Sequence, residues 1–471
     1  MADRFPNPAV QNASVFYDTM SSQKGFVNVK AFGAIGNGTH DDTEAIIAAK
    51  TSIIQHGGTL FFPAGFYLVT REIDLGNKYG LKVMGCGAGY PPSDSISTNY
   101  NSTVILWQGP DGHRVFVTGS VNMAFEDFSI WGRWTSASVD IPRAGIVVRR
   151  HTDVGIPTGK VIFKGISVAD CDVGIQIGDP DDPVHQQVNG DHIILDQVRF
   201  RDCDVGYKTT DEQNLEHYAR DVMFDSCKVG YFFSGGGRLN AQGVWQANTQ
   251  NSEVPIILQV AKDEVSGSNA SYVINGLYLD GNNIAGRPRL YVREATSSSP
   301  CHVRISNLVS QNQILSGDEP LFTIHGNDYV ILEGAYGVGS SGLIAEANSP
   351  GAQESTLIIR DSYVFGGVTG QFAETGTFYW ASLNNHNGSG GDSLPEQGSR
   401  RGVNQHDEST ILNGNTFLTV SHTIGYTPRE VFVTPKDSDT SLYVSNVGAT
   451  SFRVNRSSSS GDLDFYWMAI R

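Results

Sequence analysis

One motif, repeated at short intervals, constrains this chain more than any other feature. "KVIFKGISVADCDVGIQIG" (160–178), "HIILDQVRFRDCDVGYKTT" (192–210) and "YARDVMFDSCKVGYFFS" (218–234) share a layout. Each has a β-prone run, Asp or Ser before Cys, then Val-Gly and a second β-prone run. Looser copies follow in "SYVINGLYLDGNNIAG", "CHVRISNLVSQNQILSG" and "STLIIRDSYVFGGV", and "NMAFEDFSIWGRW" precedes them. A unit of this size cannot bury its apolar face alone and must stack on its neighbours. One copy per coil gives a parallel solenoid with coils about 4.8 Å apart.

Alternation along each strand then sets the faces. Ile146, Ile175, Tyr207 and Tyr231 align, as do Val148, Ile177, Thr209 and Phe233, and both rows are expected to face the lumen. Val147, Gln176, Lys208 and Phe232 are expected to point outward. Cys171, Cys203 and Cys227 occupy one repeat position without flanking metal ligands. They read as small apolar residues stacked inside the coil, as do Cys86 and Cys301. An odd count of widely spaced cysteines argues against a full disulfide framework.

Composition agrees with a turn-rich β protein: 53 of 471 residues are Gly and 17% are charged. A net charge of −16 argues against nucleic acid as a partner, while leaving room for a locally basic groove that takes an acidic sugar. No apolar run reaches the roughly 18 residues of a membrane span, so no membrane insertion is expected. "MADRFPNPAVQNASVFYDTM" lacks the basic-then-apolar order of a signal peptide. That points to the cytosol, to another export route, or to release with a virus.

The stretch "VNVKAFGAIGNGTHDDTEAI" (27–46) holds two adjacent aspartates. Asp41 with Glu44 predicts a capping box, with a helix over 41–56 stopped by Gly57-Gly58. Asp41 and Asp42 therefore read as caps and turn formers, not catalysts. Together with "GGTLFFPAGFYLV", the segment resembles the opening of the pectate-lyase superfamily of right-handed parallel β-helices. The branch it resembles is that of bacteriophage tailspikes and capsule depolymerases. The resemblance is close over about 45 residues, and the coil pattern extends it to about residue 370.

What the resemblance implies is an all-β chain built on a right-handed parallel β-helix. An N-terminal arm (1–26) would precede the helix-capped solenoid (27–381). It further implies a homotrimer on a phage tail or baseplate, in the virion tail or extracellular. Its partner would be a bacterial surface polysaccharide, bound and cleaved. Residues 382–407 are polar and Gly-rich and read as a linker or exposed loop. Residues 408–471 alternate apolar and polar over short runs, which predicts a small antiparallel β-domain. In the resemblance such a module assists trimerisation or binds sugar.

If the copies are in register, the loops after the second run share one corner. They gather Asp153, Asp179, Asp181, Asp182, His185, Asp211, Glu212, Glu216 and His217. Glycosidic hydrolysis needs one protonated and one ionised carboxyl group, and crowded carboxylates supply such a pair. Glu212 and Glu216 with Asp179 or Asp182 are the candidates. Adjacent coils would set them about 5 Å apart, as in retention; two coils would give roughly 9–10 Å, as in inversion. A lyase would instead abstract a proton beside a uronate carboxylate, drawing on Lys208, His217, Tyr218 and Arg220. The chain has no "NTD", "GHG", "RIK" or "RxPxxR" motif, so pectin-enzyme catalytic residues cannot be carried over. Sugar platforms are offered by Trp131, Arg133, Trp134, Lys208, Trp245 and Tyr278, with Gln242 nearby. No cofactor or metal is called for, and a non-enzymatic carbohydrate-binding spike is the remaining alternative.

Overall fold

The computed structural model describes residues 25–53, 57–76, 80–89, 101–119, 121–132, 141–149, 159–179, 192–210, 216–234, 237–247, 255–261, 270–280, 289–293, 300–310, 321–325, 328–338, 345–348, 354–364, 373–375, 377–383, 386–387, 397–399, 404–421, 427–428, 430–436, 441–457 and 461–470. These fall into two compact units that divide near residue 294. No described helix is long and apolar enough to cross a membrane.

The first unit is a stack of parallel coils. One coil contributes Val161–Lys164, Ser167–Ala169 and Val173–Ile177. The next contributes Ile193–Asp196, Arg199–Arg201 and Val205–Thr209. In the three that follow, the first two strands merge: His217–Asp225 with Val229–Phe233, Arg238–Ala247 with Ile256–Val260, and Ala270–Asp280 with Arg289–Arg293. First and second strands pair in one parallel sheet and third strands in another.

The register is the one the repeats predict. Ile146, Ile175, Tyr207 and Tyr231 pair coil to coil, as do Val148, Ile177, Thr209 and Phe233, and all eight are buried. Val147, Gln176, Lys208 and Phe232 also pair, but they are not uniformly exposed. Val147 packs with Val117, Ala144 and Val173, and buried Gln176 donates from Nε2 to the Gly178 carbonyl at 2.7 Å.

The recurring Val-Gly step has a steric cause. A Cβ on Gly174 would lie 2.4 Å from the Phe200 ring and 2.6 Å from the Gly206 carbonyl oxygen of the next coil. Asp or Ser before Cys has a conformational cause. Asp170, Asp202 and Ser226 have φ of +54°, +49° and +57°, turning the chain from second to third strand. Asp tolerates the left-handed region better than most residues. A second stacked corner, between first and second strands, is made by Asp127, Gly165, Gln197, Asp221, Gly243 and Gly276, with φ from +52° to +75°. Cys171, Cys203 and Cys227 follow the turn as free, buried thiols, and burial pushes the Cys171 and Cys227 thiols up.

The N-terminal helix is Thr43–Ile53, and it buries Thr43, Ile46, Ala49 and Ile53. It packs against the strand Phe26–Asn28 and the 3-10 turn Val29–Phe32. The expected capping box does not form. Asp41 accepts the Thr43 amide at 3.0 Å and the Thr70 hydroxyl at 2.8 Å, while Glu44 pairs with Arg71. Fully buried Asp42 instead reaches back to the Ile35 and Gly36 amides, at 2.7 and 3.0 Å. Both aspartates are structural, but Asp42 ties down the preceding turn more than the helix itself.

The second unit contains parallel strands Cys301–Ser310, Tyr329–Glu333, Glu354–Arg360 and Thr377–Leu383. Segment 382–407 is not a plain linker, because Gln397–Ser399 pairs antiparallel with Tyr379–Ala381. Two three-stranded antiparallel sheets follow. One is Asn404–Ile411, Leu463–Ile470 and Glu430–Pro435; the other is Phe417–Ser421, Ser451–Arg456 and Leu442–Ser445. Ile411, Val420, Phe452, Val454, Leu463, Phe465 and Trp467 form their core.

The coil contact at Gly174 yields a direct test. Gly174→Ala should lower unfolding free energy by about 1–3 kcal/mol in chemical denaturation, because the neighbouring backbone cannot recede. Asp170→Gly, at a left-handed corner, should change it by less than about 1 kcal/mol.

Candidate functional site

The loops leaving the third strands start on one line. The amides of Gly178, Thr210, Ser234 and Ala261 donate to the carbonyls of Val148, Ile177, Thr209 and Phe233, one coil back in each case. Their returning ends stack as well: Val161 N–H donates to His192 O and Ile193 N–H to Glu216 O. The bends thus begin and end along a common edge of the coil stack. Asp153, Asp181, Asp182, His185, Asp211 and Glu212 lie outside the described residues, as do Arg133 and Trp134.

Asp179 and Glu216, the two described carboxylates of the proposed set, differ sharply. Asp179 is buried, with Oδ2 2.5 Å from Arg114 Nη2. A carboxylate so paired has no free face for a sugar and serves to hold the third-strand sheet. Glu216 stands at the returning end of its loop and is partly exposed. Its Oε2 lies 3.3 Å from His192 Nδ1 and accepts the Tyr218 hydroxyl at 3.3 Å.

Beside Glu216 a groove of about 350 Å³ opens on the outward face of the first strands. Its polar lining is Asp196, Tyr218, Arg220, Asn240 and Gln242. Register explains the gathering. Ile194, Tyr218 and Asn240 form one outward rung, and Asp196, Arg220 and Gln242 the next. Tyr218 is 40% exposed, with the His192 ring 5.6 Å from its own. Arg220 makes two bonds of 2.9 Å to Asp196, from Nε to Oδ1 and from Nη2 to Oδ2. That fork fixes the guanidinium in plane while much of it stays open to solvent. The groove thus offers a phenol face, a positioned guanidinium and two amides, a set suited to polar, ring-shaped ligands.

The remaining candidates disperse. Trp131 ends a strand and is 6% exposed, packed with Phe66, Leu68, Val104 and Leu106; it is core, not an open platform. His217 points into the lumen, where its Nδ1 lies 2.7 Å from the Tyr207 hydroxyl, so it cannot serve a lyase reaction at the surface. Lys208 lies on the third-strand sheet, away from the groove strands, with Nζ 5.3 Å from the Phe232 ring centroid. Burial, with repulsion from Arg143, pushes its ammonium group's pKa down. Trp245 and Tyr278 pair on the outward row of the second strands. Asp196, His192 and Asn240 were not singled out from sequence. The alternation in "HIILDQ" carries the signal, since Ile193 and Leu195 are buried and Asp196 faces out. Among the described residues, no group of three or more His, Cys, Asp and Glu side chains is arranged to hold a metal.

Residues 26–112 match the family described as rhamnogalacturonase A/epimerase, pectate lyase-like. That match covers 87 of the 471 residues, and the described coils form a parallel β-helix-like solenoid. Among curated proteins it is 25% identical over 144 residues to a glucan 1,3-beta-glucosidase of Cochliobolus carbonum, covering 25% of this chain and 18% of that one. It is 40% identical over 73 residues to mannuronan C5-epimerase AlgE3 of Azotobacter vinelandii, covering 14% and 4%. The chain spans between 4% and 18% of the length of the curated relatives it matches. Among solved structures, the Dettilon tailspike protein superposes with a TM-score of 0.47 at 13% identity, covering 100% of this chain and 97% of that one.

Reassigning Trp131 is testable. Trp131→Ala should cost about 3–5 kcal/mol of stability, as for a buried aromatic, measured by denaturant unfolding. At temperatures where the variant stays folded, its retention on polysaccharide gels should equal that of the unaltered protein.

Proposed function

We propose that this protein is a tailspike-like depolymerase that binds a bacterial surface polysaccharide in the Tyr218–Gln242 groove and cleaves it. The single observation that carries the reading is the convergence of Tyr218, Arg220, Asn240 and Gln242 on one outward face, beside Glu216. The family match at residues 26–112 supports carbohydrate as the ligand class. In this reading Tyr218 stacks on a pyranose, while Arg220, Asn240 and Gln242 bond its hydroxyl or carboxylate oxygens. Glu216 supplies one carboxylate of a hydrolytic pair. The second comes from the acidic bends that share its edge, where Glu212 and Asp182 are the candidates.

A second reading is favoured by the bond between Tyr218 and Glu216. A phenol joined to a carboxylate, beside a fixed guanidinium, is equipped to move a proton next to a uronate carboxylate. That is lyase chemistry on the same groove. Both readings take a homotrimer on a phage tail as the setting, by resemblance of the opening segment.

Reducing-end assays on a panel of bacterial capsular and surface polysaccharides separate these readings. Hydrolysis raises reducing ends without new ultraviolet absorbance, and elimination raises both. Glu216→Gln should lower turnover by about 100-fold or more with binding retained. Arg220→Ala should raise KM by about tenfold with stability nearly unchanged, since the Asp196 pair is a surface one. Retention of a polysaccharide without fragments would leave a binding spike, and neither retention nor cleavage across the panel would contradict the reading outright. Light scattering should report three copies per particle; a monomer would remove the trimeric setting.

A further inference from the structure

First and second strands present two outward faces that meet at the stacked left-handed corner. The groove occupies the first face. On the second, Arg199, Met223, Trp245 and Tyr278 stand in register on successive coils. Trp245 is 44% exposed, whereas Trp107 and Trp131 of the same sheet are buried. Tyr278 meets the indole edge to face, with centroids 5.1 Å apart and planes at 82°. The ring is therefore held in place, and little side-chain freedom remains to be lost when a ligand stacks on it. Arg199 is already engaged, with Nη2 2.9 Å from Asp225 Oδ2. The platform is thus apolar with a neutralised flank, a surface for the face of a sugar ring more than for a charged group.

Continuity with the groove identifies the occupant. One strand, Arg238–Ala247, carries both Gln242 of the groove and Trp245, with Gly243 at φ +68° between them. Three residues of chain, turned at Gly243, hold the two no more than about 10 Å apart, within the reach of neighbouring sugar units of one chain. We infer that Trp245, braced by Tyr278, is an anchoring subsite for a polysaccharide that leaves the groove and crosses the corner. This subsite lets the protein favour long chains over short oligosaccharides. Trp245 is a binding residue here and Tyr278 a positioning one. The inference rests on the proposed function and adds a second contact to it.

The test compares Trp245→Ala, Tyr278→Ala and Tyr278→Phe on a cleaved polysaccharide and on the shortest oligosaccharide still cleaved. Trp245→Ala should raise KM for the polymer about tenfold with kcat unchanged, and leave the short substrate unaffected. Tyr278→Ala should raise polymer KM about threefold, and Tyr278→Phe, which keeps the edge-to-face contact, should behave as the unaltered protein. Unfolding midpoints of all three should confirm that the solenoid is intact. Unchanged polymer KM in Trp245→Ala, or an equal loss on polymer and oligosaccharide, would overturn the subsite while leaving the groove standing. Failure of the unaltered protein to bind or cleave any polysaccharide would remove both.

Discussion

The hydrogen bonding of each coil to the next, held in register through the coils that build the groove, is the interaction on which the rest of this structure depends. Every groove-lining side chain in the first unit owes its position to it. Asp196, Arg220 and Gln242 lie at least 22 residues apart in sequence, yet they occupy consecutive places on one outward rung. A slip of one residue in a strand would send Tyr218 into the lumen and bring His217 out. Two steric devices guard against that slip. The Val-Gly step allows a close approach between coils, and the left-handed corners fix where each coil turns.

The groove is electrostatically mixed, although the chain carries a net charge of −16. Asp196 compensates Arg220 without covering it, so one cation remains available to a ligand at little desolvation cost. Glu216 is held by two neighbours, an imidazole and a phenol, at the point where loop becomes strand. This junction joins a rigid sheet face to the acidic bends. Groups on the groove gain precision from the sheet that carries them.

Much of the scaffold was legible in the sequence, because solenoid physics writes itself periodically. The lumen rows from Ile146 to Tyr231 and from Val148 to Phe233, the buried cysteine position and the shared loop edge all follow from aligning successive copies. The helix was legible, but its cap was not. Asp41, Asp42 and Glu44 offer several equivalent bonding partners, and only the surrounding turn selects among them. The candidate site was half legible. Glu216, Tyr218, Arg220 and Gln242 were in view, yet Asp179 carries the same carboxyl chemistry and is spent on Arg114. No spacing rule reveals a partner 65 residues away. Trp131 misled for a related reason: its polar neighbours in "SIWGRWTS" suggest a loop, whereas strand alternation places it on an apolar patch.

A structure of the protein with a bound oligosaccharide, cut from a polysaccharide that it retains, tests the central claim most directly. A sugar ring stacked on Tyr218 and bonded to Arg220 and Gln242, next to Glu216, is the result expected. A ligand seated on the third-strand sheet near Lys208, or on the C-terminal antiparallel sheets, with the groove empty, would contradict it.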